Sequence, residues 1–536
     1  MQRLLYIFSL LVIAVCLPFI MWAVCGILPT FDDYTSLQSP WWVQIADPGY
    51  FFPDALRRPF DALLGAIVGW QPALFPTLNH ILIILGHSVS AYLVYAICQR
   101  LKLDTMATNI ATLFFFFSPA TLGATLACDG FNQTFAQLWG LLALWFYLHK
   151  VNGQRSMVNG QRSMVNGQRS MVNGQRSMVN VHSIWLPCIV MAVLSKENGL
   201  AWAVVPPIIA YAFSLTDRRQ TISDIGKGLL IAAVYFGTFA TLTLTGVLEY
   251  SEEYTEATLL SHGKDFLQLM AYTWVPLDYM SAVYPPTRNW TIVIITLLLS
   301  LPFLIMLTIK SVGAGPAPAR KGHSARRTLP LLILCFLILV SPHLFTVVSI
   351  MHNYAALSIA ALIVAHILSS SLKIVNRKFV NRKSALAFAL FLAAAIFTDI
   401  HHYTAARDSG LLGKRLATQA IKGTPYPSPL TSHLSKVMVI SIDDPEEPRY
   451  SSFCVRPVDA FAWGLSVRHY TGYIRDITIS EASLPAYDQQ QVEVMADSAL
   501  SIGNDAVWLV GHNPDSLTIF TPHNSRYLPI APINSR

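Results

Sequence analysis

Long runs of apolar residues, separated by short polar segments, follow one another along most of this chain. The runs cover residues 4–28, 76–98, 106–127, 131–149, 183–195, 199–215, 228–248, 290–310, 329–350, 354–372 and 384–401. Most of them approach the roughly 20 residues that an α-helix needs to cross the hydrocarbon core of a bilayer. The pattern predicts an all-α polytopic membrane protein with about 11 transmembrane helices. The run at 183–195 is short for a full crossing and is compatible with a tilted or re-entrant segment.

The composition agrees with a membrane protein. Charged residues make up 12% of the chain and hydrophobic residues 53%, whereas a soluble domain contains about 25% charged residues. The first apolar run is longer than the roughly 7–15 residues of a secretory signal core, and no Ala-x-Ala cleavage site follows it, so we predict a retained helix. No CxxC pair occurs among the seven cysteines, which argues against a structural zinc site.

The distribution of Lys and Arg predicts the orientation in the membrane. One alternating set of polar segments carries 21 of these residues, and the opposite set, without the C-terminal tail, carries five. Because positive residues concentrate on the cytoplasmic side, we predict a cytoplasmic N-terminus and an extracytoplasmic tail, in a multi-pass protein of a bacterial inner or plasma membrane. The net charge of +7 follows this topology, so we expect no nucleic-acid partner.

Residues 151–178 are four perfect copies of Val-Asn-Gly-Gln-Arg-Ser-Met. A period of seven is also that of a coiled coil. However, each copy contains Asn-Gly, which is a turn signal, and each glycine inside a helix costs about 1 kcal/mol. We predict a cytoplasmic loop over 151–181, whose arginines either stay in solvent or contact anionic headgroups.

The tail, residues 402–536, has a different pattern. Short runs at 437–442, 506–510 and 517–520 are rich in β-branched and aromatic residues and are separated by turns rich in Pro and Asp. Such runs are typical of strands. We therefore predict a transmembrane region over 1–401 and a small extracytoplasmic α/β or β-rich domain over 402–536.

Five polar motifs lie on the predicted outer side, near the ends of apolar runs. They are Asp32-Asp33, Arg57-Arg58, Asn79-His80 with His87, Asp129, and Lys196-Glu197. Ionisable groups are costly near a bilayer and often functional there. Each motif also has a structural interpretation, such as a solvated turn, an interface anchor, a hydrogen-bonded histidine of the bundle, or an ion pair worth about 0–1 kcal/mol. Their occurrence on one face of the membrane favours a functional site.

The outer segment 249–289 carries four glutamates followed by an apolar stretch, 266–284, that contains Trp and Tyr. Aromatic residues at this spacing suit a helix at the membrane interface. Such a helix would either cover a site on the outer face or lie on the bilayer.

Taken in order, the outer motifs resemble the GT-C superfamily of polytopic glycosyltransferases, which use polyprenyl-phosphate sugars. The set is Phe-Asp-Asp, Arg-Pro-Phe, Asn-His with a further His, Ser-Pro with Asp-Gly, and Ser-Lys-Glu-Asn-Gly, all within residues 1–215. The most similar groups are the protein O-mannosyltransferase-like enzymes and the transmembrane-and-tetratricopeptide mannosyltransferases. The chain departs from them in two places: His352-Asn353-Tyr354 stands where an Arg-Tyr pair is common, and the tail has no tetratricopeptide pattern.

The resemblance implies that residues 1–401 are a catalytic region acting on the outer face. An acceptor hydroxyl of a glycan, a lipid or a protein would attack the anomeric carbon of a polyprenyl-phosphate sugar, with inversion. The resemblance assigns the general base to Asp32 and a supporting role to Asp33, because adjacent carboxylates can divide such roles. Asp129 would position the sugar or the acceptor.

The same resemblance implies a binding site for the departing lipid phosphate. Its negative charge requires positive hydrogen-bond donors, which Arg57, Arg58 and Lys196 would supply, and Arg suits phosphate because of its planar fork. His80 and Glu197 would belong to the same substrate site. No metal-ligand set is evident, although the acidic pair together with His80 could bind a divalent ion.

Two other classes of protein remain alternatives. A transporter or flippase of a lipid-linked sugar would place ionisable groups near the bilayer midplane and show repeated halves, whereas here the charges cluster at the ends of the runs. A membrane anchor that only displays the tail would not require charged motifs in every early outer turn. We therefore favour the glycosyltransferase.

Overall fold

The computed structural model defines a helical region followed by a small mixed sheet. It describes residues 26–28, 59–60, 63, 77–127, 130–164, 184–246, 259–278, 281–282, 289–313, 325–342, 353–372, 377–424, 434–442, 461, 466–467, 470, 477–512, 516–522 and 524–529. Asp32, Asp33, Arg57, Arg58 and Asp129 lie outside these ranges, as does the predicted first span up to residue 25.

Twelve helices of the described part precede the sheet. They are α1 (Thr77–Arg100), α2 (Thr105–Phe116), α3 (Leu122–Leu126), α4 (Phe131–Met164), α5 (Trp185–Ser195), α6 (Val205–Ala212), α7 (Arg218–Leu244), α8 (Leu259–Trp274), α9 (Trp290–Gly313), α10 (Ala325–Val340), α11 (Asn353–Leu372) and α12 (Arg377–Gly423). Short 3-10 helices cover Pro119–Thr121 and Glu197–Ala203. The helices coincide with most of the apolar runs, as the hydrophobic pattern predicts.

Five of the described helices are long and apolar enough to cross a membrane, which makes the chain an integral membrane protein. The number rises to six if α2 and the following short helices are one span, bent by 45° where Pro119 interrupts it. Proline has no backbone N–H for the helical ladder and forces such bends. The prediction of about 11 crossings stays a prediction, because hydropathy and length identify fewer helices in the described part.

The apolar run at 199–215 does not form the single long helix that we predict from its hydropathy. It forms the 3-10 helix Glu197–Ala203 and then the eight-residue helix α6. Two features explain the break: Pro206 and Pro207 stand at the start of α6, where proline is tolerated, and Gly199 lies so close to α5 that a Cβ there would be 2.3 Å from the Ala192 carbonyl oxygen.

Helix α4 is longer than its apolar run, because it continues through the first two copies of the repeat to Met164. The loop predicted over 151–181 is therefore helical in residues 151–164. Extending an existing helix is far easier than starting one, so the packed part of α4 offsets the cost of the two repeat glycines. The cytoplasmic location of the repeat stays a prediction.

The centre of the bundle is α11, of which 89% of the apolar window is buried. It packs against α1, α2, α8, α9 and α10. Helix α7 is the opposite case, since 6% of its apolar window is buried and its buried residues are Thr221, Asp224 and Gly228. One narrow stripe near its N-terminal end therefore attaches α7 to the bundle.

Gly140 of α4 faces the indole ring of Trp202, which is fully buried. A Cβ at this position would lie 2.3–2.4 Å from the ring atoms. We expect Gly140→Ala to lower the free energy of unfolding by about 1–3 kcal/mol, as overpacking does in other cores, measured by thermal unfolding in detergent. Gly237→Ala on α7 is the matched control, because nothing lies within 4 Å of its Cβ, and it should be neutral or stabilising by up to about 1 kcal/mol. Equal behaviour of the two variants would contradict this packing.

The tail contains a five-stranded sheet with strand order β2-β1-β3-β4-β5. Its strands are β1 (Lys436–Ile442), β2 (Thr478–Leu484), β3 (Ala506–Val510), β4 (Ser516–Thr521) and β5 (Asn524–Pro529). Strand β1 is parallel to β2 and β3, and the β3–β4 and β4–β5 pairs are antiparallel. The three strands predicted from the sequence are confirmed as β1, β3 and β4. Helix α13 (Gln489–Ser501) connects β2 to β3.

Helix α12 joins the bundle to the sheet without interruption. Its 47 residues make it about 70 Å long at 1.5 Å per residue, and it passes through the predicted boundary at residue 402. Near its C-terminal end, Leu416, Ala417 and Ala420 pack in one core with the sheet. Further back, Gly410 lies against Leu28, where a Cβ would be 2.9 Å from the Leu28 backbone nitrogen. Leu28 stands four positions before Asp32.

Candidate functional site

The N-terminal end of α4, with the hairpin that precedes it, is contacted by the described residues of three of the polar motifs. His80, near the start of α1, is fully buried, and its Nε2 donates to the backbone carbonyl of Leu126 at 3.1 Å. Leu126 ends α3, and α4 begins five residues later. The Asn79-His80 motif is therefore attached to the hairpin that precedes α4, which is the hairpin that contains Asp129 in the sequence.

Phe60 brings the Arg-Pro-Phe motif to the same helix. Its ring lies 5.8 Å from the ring of Phe135 and 5.8 Å from that of Trp139, measured between centroids. Both partners belong to the first part of α4. Arg57 and Arg58 lie outside the described residues, but Arg58 is two positions before Phe60 in the chain.

The Lys196-Glu197-Asn198 motif forms the turn after α5, and a side-chain hydrogen bond connects it to α4. The Asn198 amide donates to Gln133 Oε1 at 2.8 Å, and both side chains are buried. The Lys196 N–H donates to the Ala192 carbonyl and caps the end of α5. Lys196 and Glu197 are half-buried, so their charged groups stand at the edge of the bundle.

Several buried amide atoms near this point have no hydrogen-bond partner among the described residues. They are Asn79 Oδ1, Gln133 Nε2, Gln137 Nε2 and Gln137 Oε1. Gln133 and Gln137 are four residues apart, so they lie on one face of α4. Buried polar atoms are nearly always hydrogen-bonded in folded proteins, and amide groups both donate and accept. Such atoms suit a polar ligand with several hydroxyl groups.

The electrostatics of the helix end favour an anion. Helix α4 has 34 residues, and its first turn presents backbone N–H groups and the positive end of the helix dipole. No acidic residue occupies that first turn. Backbone N–H groups at a helix N-terminus can bind an anion, and the turn that carries Lys196 is joined to this end of α4 by the Asn198–Gln133 hydrogen bond.

An apolar groove of about 410 Å³ lies between α5 and α7. Val190, Val193 and Leu194 line one wall, and residues 230–242 of α7 line the other. The groove exists because α7 packs on the bundle through Thr221, Asp224 and Gly228. Residues 230–242 of the same helix are not packed tightly against α5. Lys196 follows Leu194, a residue of the groove wall, by two positions in the chain.

His87, the second histidine of the α1 motif, has a structural role. Its Nε2 donates to the Phe116 carbonyl at 3.0 Å, and its Nδ1 accepts from the Tyr354 hydroxyl at 2.7 Å. Its ring also stacks on that of Phe116. Both ring nitrogens are therefore used inside the bundle, which confirms the structural interpretation of this residue and explains the position of Tyr354 at the start of α11.

A second polar cluster consists of Asp278, His401 and His402. His401 Nδ1 donates to Asp278 Oδ2, and His402 Nε2 lies 4.0 Å from Asp278 Oδ1. Burial alone would raise the pKa of the Asp278 carboxyl, but the hydrogen bond from His401, the charge of His402 and the Ser281 N–H together lower it. Within the described ranges, this is the one group of three potential metal-ligand residues.

The two clusters belong to the same end of the bundle. The hydroxyl of Tyr403, next to His402, lies 3.5 Å from Thr125 Oγ1, and Thr125 directly precedes the carbonyl group that binds His80. On the other side of α8, Thr273 donates to the Asn353 side chain at 3.1 Å. Helices α3, α8, α11 and α12 thus converge around one polar end.

Of the residues that we predict from the sequence for the site, the structure describes His80, Lys196 and Glu197, and it brings them to the end of α4. The acidic pair, Arg57, Arg58 and Asp129 are not described. Sequence reasoning missed Gln133, Gln137 and the Asp278 cluster. For the cluster a signal existed, because Asp278 is the one acidic residue of the apolar stretch 266–284 and His401-His402 ends the last apolar run.

No protein-family model matches the sequence, and no curated protein matches it. The solved structures to which the chain is similar include the archaeal oligosaccharyltransferase AglB from Archaeoglobus fulgidus in complex with an inhibitory peptide and a dolichol-phosphate, with a TM-score of 0.41, 14% identity, and coverage of 95% of this chain and 72% of that one. They also include the Archaeoglobus fulgidus oligosaccharyltransferase in complex with Zn and sulfate, with a TM-score of 0.41, 13% identity, and coverage of 90% and 64%.

Proposed function

We propose that this protein is a membrane glycosyltransferase that moves a sugar from a polyprenyl-phosphate donor to an acceptor hydroxyl on the outer face of the membrane. The observation that carries the proposal is the apolar groove between α5 and α7, together with the turn that follows α5, where Lys196 stands two positions before Asn198 and Asn198 is hydrogen-bonded to the first turn of α4. A lipid-linked phosphate requires this combination: an apolar channel at membrane depth, followed by positive charge at headgroup level.

The donor lipid fits the groove by its chemistry. A polyprenyl chain is apolar and unbranched apart from methyl groups, and the groove walls are almost entirely aliphatic and aromatic. With the chain in the groove, the phosphate lies near Lys196 and the positive end of α4. Arg58, two positions before Phe60 in the chain, is the further phosphate ligand of this proposal, and the Phe60 ring contacts α4. The planar guanidinium can contact two phosphate oxygens at once.

The acceptor side of the site contains the polar atoms around α4 and the acidic pair. Asp32 removes the proton from the acceptor hydroxyl, and Asp33 supports its charge state. Asp129 and the amides of Gln133 and Gln137 hold hydroxyl groups of the sugar or the acceptor. Leu28, four positions before Asp32 in the chain, packs against Gly410 of α12.

The reaction is a single displacement. The acceptor oxygen forms a bond to the anomeric carbon while the bond from that carbon to the phosphate oxygen breaks, and the configuration inverts. Negative charge develops on the departing phosphate, so fixed positive donors at Arg58 and Lys196 stabilise the transition state. The acceptor proton goes to Asp32. The partners of the protein are then membrane lipid, a polyprenyl-phosphate sugar, and a glycan, lipid or protein acceptor.

The direct test is sugar transfer by the purified full-length chain. The protein is incubated in detergent with a panel of radiolabelled polyprenyl-phosphate sugars and with soluble glycan, lipid and peptide acceptors. We expect release of polyprenyl phosphate together with a labelled acceptor. The same protein in proteoliposomes reports on the transporter alternative: movement of the intact lipid-linked sugar between leaflets, without transfer to any acceptor, would overturn the proposal.

The phosphate site makes a prediction of its own. Arg58→Ala and Lys196→Ala should each weaken donor binding and lower turnover by about 10²-fold, the loss typical of removing one charge-stabilising donor. Arg58→Lys keeps the charge but loses the planar fork, so it should stay impaired. Arg377→Lys, at the N-terminal end of α12, is the matched control. It should change neither donor affinity nor turnover. Donor affinity and turnover are the measurements, and normal values in both alanine variants would remove these residues from the site.

A further inference from the structure

We propose that Asp278, His401 and His402 form a binding site for one divalent transition-metal ion, with Zn²⁺ as the matching cation. The site is separate from the residues assigned above to sugar transfer, and the proposal does not depend on that function. It connects the segment after α8 to the outer part of α12, which are 123 residues apart in the sequence.

The distances within the cluster fit one shared ion. One ligand atom from each of the three residues lies within 4.8 Å of the others. The separation of 4.0 Å between His402 Nε2 and Asp278 Oδ1 is too long for a hydrogen bond. Two Zn²⁺ bonds of about 2.0–2.2 Å at a tetrahedral angle place their ligand atoms about 3.4 Å apart, so a small inward movement of the two side chains brings both atoms into coordination.

Neighbouring hydrogen bonds orient two of the three ligands. His402 Nδ1 donates to the Thr398 carbonyl at 2.8 Å, and Nε2 is the ring nitrogen that faces Asp278 Oδ1 at 4.0 Å. The Ser281 N–H donates to Asp278 Oδ1 at 2.9 Å. Metal-binding histidines commonly donate their second ring nitrogen to a backbone carbonyl, which fixes the tautomer and the direction of the ligand atom.

The donor set favours a transition-metal ion over Mg²⁺. Two imidazole nitrogens and one carboxylate oxygen are typical of Zn²⁺ sites with three protein ligands, which keep a fourth position for water or a substrate. Mg²⁺ prefers oxygen ligands and retains several waters, so it should not compete. His402 and Asp278 are almost completely buried, whereas the His401 side chain is 35% exposed. The exposed side of His401 gives the ion and a fourth ligand a path from solvent.

The energetic reason for an ion here is the buried carboxylate. A charged carboxylate with no exposed surface is costly unless it is paired or bound to a metal. His401 and the Ser281 N–H already stabilise Asp278, and a divalent ion would be a stronger partner for the same charge. A divalent ion would neutralise Asp278 and use both histidines. It would also hold the segment after α8 against α12, so the ion should stabilise the fold.

The test is metal binding by the purified full-length chain, prepared in detergent with an affinity tag that contains no histidine and stripped with a chelator. We expect about one equivalent of Zn²⁺ per chain after dialysis, no retention of Mg²⁺, and a melting temperature that rises with Zn²⁺ concentration, as it does for any ligand that binds the folded state alone. His401→Ala should lower Zn²⁺ affinity by about tenfold or more, in the range seen when metal sites are perturbed.

Two further variants make the result decisive. His402→Gln keeps most of the buried volume if His402→Ala does not fold, and it should also lose Zn²⁺. His149→Ala, an exposed histidine that stacks on Trp145, is the matched control and should bind normally. The proposal fails if the parent protein retains no Zn²⁺, or if His401→Ala and His402→Gln bind it as the parent does. Binding is measured without any transfer reaction, so failure here leaves the glycosyltransferase proposal untouched.

Discussion

Asp32→Asn should abolish sugar transfer while the protein still folds. The substitution keeps the size of the side chain but removes the group that accepts the proton of the attacking hydroxyl. General acid–base catalysis contributes about 10²–10⁴-fold to a rate, so we expect a loss of turnover of that size with little change in donor affinity. Single-turnover transfer from the donor identified above measures it, and thermal unfolding in detergent checks the fold.

Two other aspartates sharpen this prediction. Asp33→Asn should also be damaging but less so, because a partner carboxylate shifts the pKa of the base without itself taking the proton. Asp408→Asn on α12 is the matched control. Its side chain is exposed and pairs with Arg407, so transfer should be unchanged. If Asp32→Asn turns over like the parent protein, the base has to be sought at Asp129 or Glu197.

The largest effect on stability is expected from Asp224→Ala. Asp224 is buried on α7 and accepts a hydrogen bond from the Tyr147 hydroxyl at 2.9 Å. Lys150 and Lys227 pair with it at 3.5 Å and 2.5 Å. Removing one member of a buried charge pair costs about 3–5 kcal/mol, because the remaining charge loses its partner. Since Asp224 belongs to the narrow stripe that attaches α7, its loss should also disturb the groove and weaken donor binding.

The free energy of unfolding in detergent, together with donor affinity, tests this expectation. Lys227→Ala removes the half-exposed partner and is the matched control, with an expected cost of about 0–1 kcal/mol. Asp224→Asn keeps an acceptor for Tyr147 and should fall between the two. Asp224→Ala and Lys227→Ala with the same stability would show that the buried pair does not hold α7.

Hydropathy predicted the positions of most helices because burial in lipid or in the bundle requires long apolar runs. The run at 76–98 became Thr77–Arg100, and that at 354–372 became Asn353–Leu372. The run at 199–215 is just as apolar, but its backbone follows the close approach of Gly199 to α5. That approach depends on tertiary packing, which composition alone does not reveal. The same holds for the continuation of α4 into the repeat.

For the site, the sequence indicated which residues could take part in catalysis or binding, but not which of them contact one another. His80 and Lys196 were recognisable as ionisable groups at the ends of apolar runs. The bond from Asn198 to Gln133 was not, because glutamine on a helix is ordinary and its partner is far away in the chain. Asp278 and His401-His402 likewise become a cluster only when α8 and α12 pack together. Functional residues that are adjacent in the sequence could be predicted, whereas clusters formed by residues of distant helices could not.

Because α12 is unbroken, it fixes both the distance between the bundle and the tail sheet and the rotation of the sheet about the helix axis. Each residue of an α-helix adds about 100° of rotation and 1.5 Å of rise, so the number of residues between His402 and Leu416 sets the direction in which the tail sheet faces. One added residue would turn the whole sheet by more than a quarter of a circle relative to the bundle. Seven added residues would nearly restore the direction, about 20° short of two turns, and would lift the sheet by about 10 Å. The spacing along this helix therefore acts as a register that aligns the tail with the polar end of the bundle.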